Sequence, residues 1–418
     1  MNGTIRKVLF NRGFLTLFIC YSLACTCFAF VNVGLLLHAT EDFGMDAVIV
    51  GSVIGAVSLI GLCMRPISAV IVDRLNRKHV LVFAFALEAF STFGFGYADQ
   101  YYLLYLLQIM RGVAWGLISC AGVVLIVDIV GREDIGMATG IYALGMVIGS
   151  SIAAAIVASL GDAVGFVITF LIASTLTTIA ALLAATLPFK RKSSKYPSKT
   201  TEPKKPHVLS TLINQIKSIR LANFFSIECA PILGISFVFQ LCATALGATF
   251  LVAYGRVDLS IANVGIAATT YNVIMYFSRP LYGRIMDKYG ARWCIIPTFL
   301  GFIAANFIAF ISTDMVGLMI AAVVFGLCSG GYSIAPRVLA IRRLGPQREA
   351  VASSTSGIGN DVGMFLGNIL VPVVAAASGG FYKNAYLVMA LIAIVGIVYC
   401  SIYILLYKKR HPDNSIQW

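Results

Sequence analysis

The stretch RPISAVIVDRLNRK (65–78) returns 214 residues later as RPLYGRIMDKYGAR (279–292). Each copy opens on Arg-Pro and sets an Asp eight residues after the Arg, Asp73 and Asp287. A basic residue stands directly behind each Asp (Arg74, Lys288), and another follows four residues on (Lys78, Arg292). A repeat at so long a period reads as two related halves, and the question becomes what moves between them.

Composition says where the halves sit. Hydrophobic residues make up 59% of the chain and charged residues 12%, with a mean hydropathy of +0.89. Soluble domains carry roughly 25% charged residues, so this chain cannot cover a water-facing surface and reads as a polytopic membrane protein. The first apolar run, Phe14 to Leu37, is too long for a signal-peptide core and reads as the first span. The ten cysteines lie in or beside apolar runs and read as unpaired structural thiols. Cys25-Thr26-Cys27 is too short and isolated to hold a metal, so neither metal nor cofactor is expected.

A bilayer core needs about 20 apolar residues per helix. The chain supplies such runs at 14–38, 47–72, 80–97, 102–129, 136–160 and 163–187, then at 229–253, 265–286, 293–311, 316–341, 350–376 and 385–406. The expected fold is all-α: twelve transmembrane helices as two pseudo-symmetric six-helix bundles, 1–187 and 229–418. Residues 188–228 join them as a loop that includes the basic, Ser- and Pro-rich KRKSSKYPSKTTEPKKP, with a short amphipathic helix expected over 210–225. With both termini and the even-numbered connections on one side, that side holds 25 of the 31 Lys and Arg. The positive-inside rule therefore puts both termini in the cytoplasm, in a plasma (inner) membrane. Basic cytoplasmic loops against anionic lipid account for the net charge of +13, and no nucleic-acid partner is expected.

Twelve spans in a six-plus-six arrangement, with the repeated loop after spans 2 and 8, resemble the major facilitator superfamily over essentially the whole chain. That family's loop has the form Gly-x-x-x-Asp-Arg/Lys-x-Gly-Arg-Arg/Lys. The second copy keeps Gly283, Asp287, Lys288, Gly290 and Arg292, with Ala291 at the penultimate Arg. The first keeps Asp73, Arg74, Arg77 and Lys78, with Ala69 and Asn76 at the glycine positions. Within the family the chain looks most like twelve-span drug or metabolite–proton antiporters. Arg111, Gly112 and Gly116 resemble their Arg-x-x-x-x-Gly element, and Gly145-x-x-x-Gly149 resembles their span-5 pattern, departing at Ser150, Ala153 and Ala154. The resemblance implies proton-coupled export of an organic solute by a monomer that exposes a central cavity to one side at a time.

Several residues are candidates for that work. An ionised side chain at mid-membrane costs about 2.5–3.5 kcal/mol on insertion scales and is kept for a function or a partner. Asp361, with Asn360 beside it, lies deep in span 11 and reads as a proton-coupling acid or as a fixed partner for an Arg. Arg111 in span 4 can bind an anionic substrate group, modulate an acid, or form a structural salt bridge; Glu88 in span 3 is a second coupling candidate. The resemblance makes the loops cytoplasmic latches, with Arg65, Asp73, Arg74, Arg77, Arg279, Gly283, Asp287 and Lys288 as parts; the basic residues alone are also explained as topology signals. Gly145 and Gly149, matched by Gly359, Gly363 and Gly367, share helix faces and read as a sliding seam between halves, or as ordinary close packing. Polar and aromatic residues on inward-turned spans suggest cavity walls: Tyr21, Asn32, Gln108, Trp115 and Tyr142 from the first half, Gln240, Asn272, Tyr276, Tyr332 and Asn360 from the second. Each can equally be a packed residue.

No Walker-type phosphate loop is present, so ATP is not the direct energy source. The four histidines are scattered and no nucleophile–base pair shares a face, which argues against an enzyme. Uptake or exchange of an organic anion through the membrane arginines is the alternative to export.

Overall fold

In a computed structural model, residues 11–130, 135–187, 225–261, 263–345 and 348–410 are described. The expected helix over 210–225 lies outside these residues, as does nearly all of the joining loop.

Span 1 is Arg12–Leu37, continued by a π-helical turn, His38–Asp42. Spans 2 to 6 are Ala47–Arg74, Arg77–Phe95, Tyr101–Val130, Ile135–Val164 and Phe166–Ala185. Among the described residues, eleven helical segments are long and apolar enough to cross a bilayer. Span 8, Gly265–Tyr289, is the twelfth crossing and is more polar than the others, with Thr269, Thr270, Asn272 and Arg279 along its length. Spans 9 to 12 are Arg292–Ile311, Met315–Leu344, Glu349–Ala377 and Lys383–Arg410. Span 7, expected as one run, is two helices, Ala230–Thr244 and Ala248–Val257. The interruption falls at Gly247, which takes an extended conformation and starts the second helix, while the Thr244 hydroxyl satisfies the Gln240 carbonyl.

Several spans begin on a capping side chain. Asn11 accepts from the Gly13 and Phe14 N–H groups, Asp46 from Val48 and Ile49, and Asp314 from Gly317. Each satisfies donors that lipid would leave unpaired. This also explains one departure of the first loop: Asn76 caps span 3 through Lys78 N–H at a negative φ. Its counterpart Gly290 has φ 90°, a left-handed turn that glycine reaches without a Cβ clash.

The two halves are in register at 214 residues far beyond the loops. A Cβ on Gly112 would meet Ile60 and Val57, and one on Gly326 would meet Ile274 and Tyr271. Gly116 lies against Met64, and Gly330 against Ser278. Across the halves, Gly51 of span 2 sits on the Asn368 carbonyl of span 11, and Gly265 of span 8 sits on the Ala154 carbonyl of span 5. Every pair maps onto its partner by the same offset. The fold is thus a pseudo-twofold body, as expected, with spans 2 and 11 on one side of the seam and spans 5 and 8 on the other.

Candidate functional site

The seam is closed at the end opposite the repeated loops. There Arg256, at the end of span 7, reaches Asp162 (2.7 Å) and Glu41 (3.3 Å) of the first half. Thr249 Oγ1 donates to the Asn32 carbonyl, and Thr269 Oγ1 to the Ser151 carbonyl. Toward the loop end, Gly140 of span 5 and Gly283 of span 8 meet no atom within 4 Å of where a Cβ would be. Sequence reasoning placed none of these far-end contacts. The available signal was that Arg256 and Lys383 are the only basic residues in the connections of that side.

Deep in the spans, Arg65 Nη2 lies 2.7 Å from Asp361 Oδ2. The pair joins span 2 of one half to span 11 of the other. It is a charge contact rather than a well-directed hydrogen bond, since that oxygen has no partner of good angle. Gly357 packs beneath the guanidinium, where a Cβ would come within 2.5 Å of Nη1. Arg65, expected in the latch, therefore belongs with Asp361: its position two turns above the loop lets the long side chain reach the middle of span 11. Asn360 is half-buried beside Asp361, and its Oδ1 has no partner.

Arg111 and Glu88 are fully buried and pair at 3.1 Å. Arg111 also donates from Nη1 to Asn32 Oδ1 (3.0 Å) and Gln108 Oε1 (3.3 Å), and from Nη2 to the Phe28 carbonyl (2.5 Å). Gln108 Nε2 in turn donates to the Ile54 carbonyl. Gln108, expected as cavity wall, is instead buried in this network; Asn32 accepts from Arg111 at Oδ1 and stays half-buried, while Arg111 itself offers no surface to a solute. Spans 1, 3 and 4 supply the acceptors around one cation, and span 2 joins through Gln108, because a guanidinium has five donors and lipid offers no acceptors. Only Glu88 Oε2 is left without a partner.

The aromatic candidates divide in two. Tyr21 and Tyr142 stack at 4.0 Å, and both are buried. Tyr142, expected at the cavity surface, lies behind it because Gly122 admits its hydroxyl. In front, Trp115 and Phe28 stack at 4.2 Å and stay half-buried, with the Arg111 guanidinium 4.1 Å from the Phe28 ring. Phe28 is the member that sequence reasoning missed, since nothing distinguishes it from the apolar residues around it. In the second half, Gln240, Tyr276 and Tyr332 are half-buried, and Tyr332 also packs on Phe302. Asn272 is buried with its Nδ2 unpartnered, and Arg279, half-buried, has an unpartnered Nε.

The loop residues act within halves here. Arg77 binds Asp128 through both carboxylate oxygens (2.7 and 2.6 Å), tying span 3 to span 4. Asp287 pairs with Arg342 of span 10 at 3.2 Å, and Lys288 lies 5.0 Å from the Tyr289 ring. Asp73 and Arg74 are exposed, and among the described residues neither makes an ion pair.

The glycine seam needs correction. Gly145 and Gly149 seat span 5 on Tyr21, Ser22, Cys25 and Thr26 of span 1, within the first half. Gly359, Gly363 and Gly367 seat span 11 on span 7, from Leu233 to Thr244, within the second. Small-residue spacing reports close helix approach but not which neighbour approaches. Among the described residues, the glycines that pack across the seam are Gly51, Gly55, Gly265 and Gly357.

Twelve crossings in two pseudo-symmetric halves, a seam closed at one end and charges held inside the spans define a two-lobed polytopic membrane protein. A profile of the Major Facilitator Superfamily matches residues 17–258 and again 232–417, and the chain belongs to that family. A comparison with curated proteins gave no match. Among solved structures, a point mutant of the nucleoside transporter NupG superposes with a TM-score of 0.78 at 15% identity, covering 94% of this chain and 100% of the other. A bacterial homolog of the human lysosomal transporter Spinster, in an inward-facing and unoccupied conformation, superposes at 0.71 and 15% identity, covering 94% and 96%. At these identities the likeness speaks to the fold alone.

Proposed function

We propose that this protein is a secondary active transporter that exports a medium-sized organic solute in exchange for protons, by alternating access, with Asp361 as the coupling acid. The observation that carries the reading is the Arg65–Asp361 pair at 2.7 Å. A proton can bias a two-state equilibrium only by binding one state better than the other. Asp361 meets this condition because its cation sits on the opposite half, so separating spans 2 and 11 changes what the carboxylate faces. Protonation weakens the tie, and re-forming the tie expels the proton. Export rests on the antiporter resemblance of spans 4 and 5. With the basic loops in the cytoplasm, the closed far end makes this an inward-facing arrangement.

The test is a solute screen in proteoliposomes with an imposed pH gradient, run beside Asp361→Asn. The expected result is uphill movement of a solute against the proton flow in the native protein, and only downhill exchange in Asp361→Asn. Gradient-driven accumulation that survives in Asp361→Asn would remove the acid from the mechanism.

A further inference from the structure

We propose that Arg279 is the receiving site for an anionic group, so that the transported solute is an organic acid with an apolar, flat body. The inference starts from symmetry. The 214-residue register relates Gly51 on Asn368 to Gly265 on Ala154, one contact on each side of the seam. The same operation carries Arg65 onto Arg279 and Asp361 onto Val147. Arg65 has its carboxylate at 2.7 Å; at the related place Arg279 has a valine. Among the described residues Arg279 makes no ion pair, and its Nε is buried without a hydrogen-bond partner.

A guanidinium in a span, with the symmetric counter-ion replaced by an alkyl group, is costly unless something supplies the negative charge. The other deep arginines are already satisfied, Arg65 by Asp361 and Arg111 by Glu88. Arg279 stands on one helix face with Asn272 and Tyr276, at spacings of seven and three residues, and Asn272 Nδ2 is also unpartnered. Both unmet groups are donors, which suits a carboxylate and gives nothing to a cation. In the other half the half-buried Phe28–Trp115 stack offers a flat apolar surface for the remainder of the solute. The inference rests on the transporter reading for the word solute, but the binding it predicts does not require flux.

The experiment measures binding to purified protein of aromatic and aliphatic monocarboxylates, each beside its carboxamide, by thermal shift and titration calorimetry. Acids are expected to bind at least about tenfold tighter than their amides, aromatic acids best. Arg279→Gln should abolish the acid preference and Arg279→Lys retain part of it. Val147→Asp, which supplies the missing counter-ion, should abolish it while leaving the thermal midpoint unchanged or raised. Amides binding as well as acids, no acid binding at its solubility limit, or a preference surviving in Arg279→Gln would each overturn the proposal. Acid-selective binding without gradient-driven flux would instead count against the transporter reading and leave this site standing.

Discussion

The Glu88–Arg111 pair has an internal control in the other half. Under the 214-residue register Glu88 corresponds to Phe302 and Arg111 to Phe325, and those two rings touch at 5.3 Å between centroids. The same helix junction is thus built once from a buried ion pair and once from an aromatic pair. Arg111→Met would strip Glu88 of its only partner and leave Asn32 Oδ1, Gln108 Oε1 and the Phe28 carbonyl without their donor. Breaking a buried pair from one side costs about 3–5 kcal/mol. Glu88→Leu strands the cation, though its three remaining acceptors hold the loss toward the lower end of that range. The double variant Glu88→Phe/Arg111→Phe copies the second half. It should be less destabilised than Glu88→Phe and Arg111→Phe added together by about 2–3 kcal/mol, the upper range for coupled neighbours. Unfolding free energies in mixed micelles would measure this, with proton-driven flux as a second readout. Additive losses would refute the reasoning, because they would mean the two charges do not depend on each other.

Three further outcomes are expected. Arg256→Gln should leave stability within about 1 kcal/mol, because its partners are exposed carboxylates, yet lengthen distances between spin labels at Gly44 and Leu259; unchanged distances would deny Arg256 a role in holding the far end shut. Gly265→Leu should insert and fold but lose flux by about tenfold or more, since its side chain would collide with the Ala154 backbone across the seam; normal flux per folded molecule would count against a seam that must close there. Gly363→Leu collides instead with the Phe237 carbonyl inside one half, so it should lower the yield of folded protein, and a well-folded but inactive variant would return Gly363 to the seam.

The fold was legible because it depends on composition and periodicity, which the bilayer makes nearly deterministic. The break in span 7 was not, since Ala245-Leu246-Gly247 is as apolar as the helices it separates. Charges in the spans stood out in the sequence, but their pairing was beyond reach. Arg65 and Asp361 are 296 positions apart, and Arg111 collects acceptors from residues as distant as Phe28. The glycines show a different limit: a four-residue repeat fixes which face is small, whereas the neighbour that fills it is set by how the bundles assemble. Asn32 and Gln108 were read as cavity wall by their polarity, and it is the same polarity that draws them inward to Arg111.

Glu88, fully buried, and Asp361, part-buried, differ in what they can do, and the difference follows from which half holds the counter-ion. Glu88 and Arg111 lie on spans 3 and 4, and their further partners on spans 1 and 2, all in the first half. If that half moves as a unit, the pair keeps the same surroundings in both end states and contributes equally to each, so its protonation cannot favour one. Asp361 and Arg65 sit on opposite halves, and any opening between spans 2 and 11 must change the energy of that contact. Elsewhere the seam is close backbone packing, Gly51 on the Asn368 carbonyl and its counterpart Gly265 on the Ala154 carbonyl, and among the described residues the other charges that cross it, Arg256 with Asp162 and Glu41, lie at the far end. A small asymmetric charge in a near-symmetric hinge is where one proton has the most leverage. The consequence can be measured: the pH that shifts the population of far-end-closed molecules should move in Asp361→Asn and stay fixed in Glu88→Phe/Arg111→Phe. The reverse pattern would transfer the coupling role to Glu88.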